Sequence, residues 1–358
     1  SFATCRDEQS AMILRGSAGT GKTSLAGAIV RAMKSLHQNV VLMAPTGRAA
    51  KVFSLNAGCE AHTIHHRIYR RKTYVGEDTG FSLNFNKHRH TLFIVDEASM
   101  IPAGNGTPSI FGSGQLLDDL MQYVYGGQHC RLMLIGDKAQ LPPVGETESP
   151  ALSPLTVEGY GIRVFLADLN EVLRQTAESG ILWNATVIRE MITHDEMTQL
   201  PRITLNRFPD ISSVPGDELI ESLNSSYCNV GIDETTVVVR SNKRANIYNN
   251  GIRAMVLGRE DSLTSGDLLM VVKNNYHWTK TTEEEADNEH EMEFLANGDR
   301  MRVHRVRNIQ SLYGFTFADA QLVFTDYDDR EVDATVLLDT LQSEAPSLTR
   351  EESERLFN

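Results

Sequence analysis

Residues 11–36 constrain the chain more than any other stretch. A short apolar run, "AMIL" (11–14), leads into "GSAGTGKT" (16–23). Leu25, Ile29 and Met33 then recur at four-residue spacing, which predicts a helix from Lys22 to Leu36. Strand, G-x-x-x-x-G-K-T loop and helix together form a phosphate-binding unit that needs a sheet behind it. Gly16, Gly19 and Gly21 let the backbone N–H groups curl around phosphate, and Ser17, Ala18 and Thr20 complete the loop. The helix N-terminus adds a favourable dipole. Lys22 is placed to reach the outer phosphates and Thr23 to offer its hydroxyl to Mg²⁺. A chance glycine-rich turn before a helix is the plain alternative.

The sheet is legible downstream. "NVVLMA" (39–44), "TLFIV" (91–95), "RLMLI" (131–135) and "IRVFLA" (162–167) read as buried strands, and "QLLDDLMQYV" (115–124) as a helix. Alternating strands and helices imply a parallel sheet covered on both faces. Two of these strands end in polar residues where such sheets bind ligands. "TLFIVDEASM" (91–100) ends in Asp96, suited to hold Mg²⁺, and Glu97, suited to deprotonate an attacking water. "GDKAQLPPVG" (136–145) puts the uncharged Gln140 on a proline-stiffened loop, where its amide can sense a γ-phosphate or its water.

Beyond residue 168 the texture changes. Helices are expected over 181–192 and in "NKRANIYNNGIRAMV" (242–256), with "TTVVVR" (235–240) a buried strand between them. From about residue 266, "GDLLMVVKNNY", "GDRMRVHRV", "FADAQLVF" and "EVDATVLLDTL" are short strands broken by Gly, Asn and Asp turns, which suggests a small antiparallel barrel. The acidic stretch 281–293 reads as a solvated loop.

The order of these motifs resembles the B-type branch of the superfamily-1 helicases, the PIF-, RecD- and Dda-like enzymes, with bacterial PIF-like proteins nearest. The resemblance rests on "GSAGTGKT", "APTGRAAKVF" (44–53), "AHTIHHRIY" (61–69), "VDEASM" (95–100), "GDKAQLPPVG" and "LNEVLRQT" (169–176). It implies an ATP- and Mg²⁺-dependent motor that moves on single-stranded DNA, 5′→3′, and opens duplex junctions. It implies a first RecA-like P-loop domain over 1–168 and an incomplete second one over 169–265. An SH3-like β insertion would follow over 266–345, and the start of a continuation over 346–358. Arg174 would reach the γ-phosphate. Pro45, Thr46, Gly47, Thr63 and His65 would line the DNA track. The segment 66–91, basic and rich in aromatics, would be a wedge hairpin carrying Phe81 and Phe85.

Bulk properties narrow the alternatives. A net charge of −13, with 34 Lys and Arg against 47 Asp and Glu, excludes a protein coated in positive charge but not a local basic groove. No apolar run is long enough to span a bilayer. Cys5, Cys59, Cys130 and Cys228 lack metal-ligand spacing and read as reduced thiols of a cytoplasmic protein. The serine at position 1, and a capping-box spacing at Thr349 and Glu352 just before the last residue, lead us to expect a piece of a longer protein. Two competing readings are an RNA-directed relative and a non-catalytic DNA-binding subunit of a nuclease complex. The joint presence of Lys22, Glu97, Gln140 and Arg174 weighs against the second.

Overall fold

The computed structural model describes residues 9–17, 19–71, 81–104, 112–169, 179–193, 200–272, 295, 298–325, 327 and 329–341. Ala18, Arg174, the segment 72–80 and the stretches 281–293 and 346–358 lie outside them. The chain divides into two compact units, Ser1–Ile211 and Ser212–Asn358.

The first unit is built on β1 (Ser10–Gly16), α1 (Lys22–Ser35), β2 (Asn39–Ala44), α2 (Gly47–Ala57), β3 (Ala61–Thr63) and α3 (Ile64–Ile68). There follow β4 (Tyr69–Arg71), β5 (Phe81–Leu83), β6 (Thr91–Val95), α4 (Leu116–Tyr125), β7 (Arg131–Gly136), α5 (Pro154–Glu158), β8 (Arg163–Leu169) and α6 (Gly180–Thr193). Six strands form one sheet in the order β3-β2-β6-β7-β1-β8, and every pairing in it is parallel. All strand carboxyl ends therefore lie along one edge.

Side-chain alternation along the strands builds a core on each face. Leu14, Leu42, Leu92, Ile94, Met133 and Ile135 pack with Ala26 and Val30 of α1 and Phe53 and Ala57 of α2. Phe93, on the opposite face of β6, meets Tyr123 of α4 edge-on at 5.9 Å. Burial of each large aliphatic here contributes roughly 1.5–3 kcal/mol. Helices α1 and α2 touch at Gly27, where a Cβ would fall 2.8 Å from the Asn56 carbonyl oxygen.

The first unit runs to Ile211 and so includes residues assigned from sequence to a second domain beginning at 169. Asp210 accounts for this. Its carboxylate accepts hydrogen bonds from the Ser179 hydroxyl (2.9 Å) and the Gly180 and Ile181 N–H groups (2.7 and 3.3 Å), capping α6. Asn184 of α6 also exchanges hydrogen bonds with Thr204, at 2.9 and 2.7 Å.

The second unit contains α7 (Leu219–Asn229), α8 (Asn242–Gly251), a π-helical turn at Ile252–Val256, and strands β9 (Leu268–Met270), β10 (Arg300–Leu312), β11 (Phe315–Phe324) and β12 (Arg330–Leu337). The strands pair antiparallel in the order β12-β11-β10-β9 around Val303, Ala318, Leu322 and Phe324. A β12–β9 pair that would close a barrel is not among the described pairings. Asp267, buried beside β9, accepts from Arg253 and Arg259 and joins the helical segment to the sheet.

One expectation fails here. Residues 235–240 form no strand, and Val238 is 89% exposed. Their β-branched side chains favour an extended backbone, but a strand needs a neighbour to pair with. Among the described residues of this unit the only sheet is the antiparallel one, and 235–240 do not join it.

Candidate functional site

The loop between β1 and α1 has the backbone its glycines allow. Gly19 and Gly21 take φ values of 79° and 83°, in the left-handed region. Gly16 is fixed by crowding instead, since a Cβ there would meet Thr20 Oγ1 at 2.6 Å and Leu169 Cβ at 3.0 Å. Thr20 Oγ1 donates to the Ser17 carbonyl at 2.8 Å and closes the curl. The N-terminus of α1 has no side-chain cap and no acidic residue in its first turn. Its N–H donors are thus open to an anion. Lys22 lies within the curl, its Nζ donating to the carbonyls of Gly16 (2.9 Å) and Ser17 (2.8 Å).

Three carboxylates reach this lysine. Burial lowers the Lys22 pKa, opposed by Asp137, Glu97 and Asp96. These residues come from β6 and β7, so the sheet gathers at one edge what the sequence spreads over more than a hundred residues. Asp96 is buried, and its Oδ1 accepts from the Glu97 N–H at 2.9 Å. Burial raises its pKa against that hydrogen bond and the pull of Lys22. Glu97 has a left-handed backbone, φ 52° and ψ 36°, uncommon for a residue with a side chain. Burial and the Asp96 charge raise its pKa, while Lys22 and a hydrogen bond from Gln140 oppose them.

Gln140 thus contacts the proposed base directly. Its Oε1 also accepts from Ser99 Oγ at 3.0 Å. The loop bearing it is tied down by Asp137, whose backbone carbonyl accepts from the Gln140 N–H (3.2 Å) and whose Oδ1 accepts from the Ala139 N–H (3.0 Å). At the root of this loop Gly136 is required, since a Cβ would meet Leu152 Cδ1 at 2.8 Å and the Ser99 nitrogen at 3.1 Å.

Mg²⁺ is implied by this residue set. Asp96 offers a buried carboxylate near Lys22, and Thr23 is the next residue of α1, so both fit as hard oxygen donors. Among the described residues no cluster of three or more His, Cys, Asp or Glu could hold a metal.

The expected DNA-track residues lie one strand further along the same edge. Thr46 and Thr63 cap α2 and α3, accepting from the Ala49 N–H (3.3 Å) and the His66 N–H (3.2 Å). Register places Thr63 beside Ala44, the last residue of β2, so the two helix N-termini stand side by side, with Pro45 and Gly47 flanking Thr46 at the start of α2. A capping hydroxyl accepts from its helix and keeps its own hydrogen to donate outward. His65, expected to line the DNA track, is half-buried. Its ring tilts on Tyr69 at 5.7 Å, and burial brings its pKa down to about 4, opposed by Asp119. It is therefore neutral at physiological pH.

In the expected wedge, β4 and β5 pair antiparallel, with Arg71 opposite Phe81. Phe81 is half-buried at the end of this ladder nearest the connecting segment 72–80, whereas Phe85 lies past the opposite, Tyr69–Leu83 end and is 77% exposed. Asn84 and Asn86 hold the turn around Phe85, through the Asn84 N–H to the Ile68 carbonyl (2.7 Å) and Asn86 Nδ2 to the Tyr123 carbonyl (3.0 Å).

Sequence reasoning missed Arg189. Its guanidinium grips Asp137 with both prongs, at 2.7 and 2.6 Å. A signal was available: Arg189 is the one basic residue in the otherwise largely apolar α6.

A family model described as an AAA domain matches residues 2–199, more than half of the chain. The ATP-dependent DNA helicase dda of enterobacteria phage T4 is 24% identical over 342 residues, covering 92% of this chain and 70% of that protein. The ATP-dependent RecD2 DNA helicase of Deinococcus radiodurans is 32% identical over 177 residues, 48% of this chain and 20% of that protein. An uncharacterized protein of Acanthamoeba polyphaga mimivirus, R530, is 27% identical over 299 residues, 74% of this chain; the chain spans only 56% of its length. The Pif1 helicase of Candida albicans aligns over 92% of this chain and 75% of its own, with a TM-score of 0.34 and 18% identity. With the phosphate loop, the Asp96-Glu97 strand and the Gln140 loop on one parallel sheet, the chain belongs to the AAA domain family, among the superfamily-1 helicases of the RecD and Dda type.

Proposed function

We propose that this chain is the motor part of an ATP-dependent DNA helicase, which uses ATP hydrolysis to move along single-stranded DNA and open duplex junctions. The observation that carries this reading is the convergence on one sheet edge of Lys22, Asp96, Glu97 and Gln140, next to the two threonine-capped helix N-termini. The names of the T4 and Deinococcus relatives support DNA as the polymer. The 5′→3′ polarity follows from the family resemblance, and a DNA substrate places the protein in the cytoplasm, at the nucleoid in a bacterium.

Each residue has a physical role in this reading. The backbone from Gly16 to Gly21, Ala18 included, wraps the phosphates, and Lys22 turns from the loop carbonyls to the outer phosphate oxygens. Thr23 and Asp96 hold Mg²⁺, which supplies charge neutralisation along the phosphates when bound. Glu97 takes the proton of the attacking water, and Gln140 orients Glu97 and that water. Arg174, outside the described residues, completes the charge at the γ-phosphate. Thr46 and Thr63 donate to successive DNA phosphates without reading sequence, and Pro45, Gly47 and His65 shape the track.

The test compares Lys22→Ala with wild type for ATP turnover with DNA and RNA strands of matched length. The variant should lose turnover and keep single-strand binding, because Lys22 meets phosphate of the nucleotide. Undiminished turnover in the variant refutes the nucleotide assignment; stronger stimulation by RNA refutes the DNA assignment.

A further inference from the structure

We propose that Arg189 is a positioning residue for ATP hydrolysis, acting through Asp137 to hold the Gln140 amide against Glu97. The proposal rests on the nucleotide-site reading above and deepens it. Arg189 and Asp137 are separated by 52 residues and meet through two hydrogen bonds, Nη1–Oδ1 at 2.7 Å and Nη2–Oδ2 at 2.6 Å. A two-pronged guanidinium–carboxylate contact fixes orientation as well as distance. Asp137 is 2% exposed, and without this arginine its buried charge would keep only the Ala139 N–H and the attraction of Lys22.

Asp137 ends β7 and organises the loop after it. One oxygen holds the Ala139 N–H and the backbone carbonyl holds the Gln140 N–H. Gln140 in turn accepts at 3.0 Å from Ser99, two residues after Glu97, and it helps lower the Glu97 pKa. A connected path thus runs from α6 through Arg189, Asp137 and the loop to the residue that takes the proton from water. The cations on either side of Asp137 add a second constraint. Lys22 feels both Asp137 and Arg189, in opposite senses. While Arg189 neutralises Asp137, Lys22 is less drawn to that carboxylate and remains available to phosphate.

The experiment measures DNA-stimulated ATP turnover and binding of a fluorescent ATP analogue for wild type, Arg189→Ala, Arg189→Lys, Gln140→Ala and the double variant Arg189→Ala/Gln140→Ala, with thermal unfolding of each. Misplacement of a reacting group by about 1 Å costs on the order of 100-fold, so Arg189→Ala should lower kcat about 10- to 100-fold, with KM for ATP changed less than about threefold. Arg189→Lys keeps the charge but not the two-pronged grip and should fall between. The double variant should be no slower than Arg189→Ala alone, because Gln140 contributes only when it is held in place. If the two effects multiply, or if Arg189→Ala lowers the melting temperature while turnover per folded molecule stays at the wild-type level, the proposal is overturned. If Arg189→Ala does not fold, Arg189→Lys combined with Gln140→Ala decides by the same comparison. Failure of wild type to bind the analogue would instead refute the nucleotide-site reading.

Discussion

His65 gives the most direct route from this structure to a number. Its pKa is about 4 in the folded chain, against 6.5 for an unperturbed imidazole. The cause is burial beside Tyr69, with Asp119 pulling weakly the other way. As pH falls below 6.5 the unfolded chain takes up a proton that the folded chain refuses, so stability declines. The loss is complete once pH passes below about 4, where both states are protonated. One unit of pKa difference is worth about 1.36 kcal/mol, so the decline attributable to His65 is roughly 2.5 kcal/mol between pH 7.5 and 4.5. His65→Gln removes the titrating group. Urea unfolding of both proteins at several pH values in that window should show wild type losing roughly that much more than the variant. Parallel pH dependences, or an imidazole titrating near 6.5 in the folded protein, would refute the reasoning. The same neutrality has a consequence for DNA. An uncharged ring releases no counterion, so His65→Gln should leave the salt slope of single-strand binding unchanged.

Further outcomes follow from the site and the wedge. Glu97→Gln should retain nucleotide but lower turnover at least about 100-fold. In the wild type, burial and Asp96 raise the Glu97 pKa, so activity should fall, on acidification, at a pH above the ordinary glutamate range of about 4.3; Gln140→Ala removes a lowering hydrogen bond and should move that limb upward. A pH–rate profile that does not move would count against Glu97 as the base. Phe85→Ala should slow duplex unwinding more than single-strand-stimulated ATP turnover, because an exposed ring can stack on a base for roughly 1–3 kcal/mol. Phe81→Ala, half-buried where the ladder meets the connecting segment, should cost thermal stability instead; equal loss of both rates in Phe85→Ala would make it a packing residue.

The phosphate loop, its flanking strand and helix, and the strands ending in Asp96 and Asp137 are legible in the sequence because their determinants are local. Glycines permit positive φ over a few residues, and a run of β-branched and aliphatic side chains marks a strand where a neighbouring strand is there to pair with it. The helices α1 and α4 are legible for the same reason, from apolar spacing. Pairing is different. That Arg189 would close on Asp137 depends on two segments 52 residues apart meeting at one sheet edge, and no short-range pattern records it. The same holds for Gln140 meeting Glu97, and for the strand order that sets β7 between the phosphate-loop strand and the Asp96 strand. Burial is also a tertiary quantity. His65 and Phe81 look like surface residues in sequence, but the ring of Tyr69 and the β4–β5 ladder decide otherwise. Residues 235–240 carry the composition of a buried strand and fail to form one among the described residues, because a strand's stability lies in hydrogen bonds and contacts supplied by a neighbour, not in its own side chains.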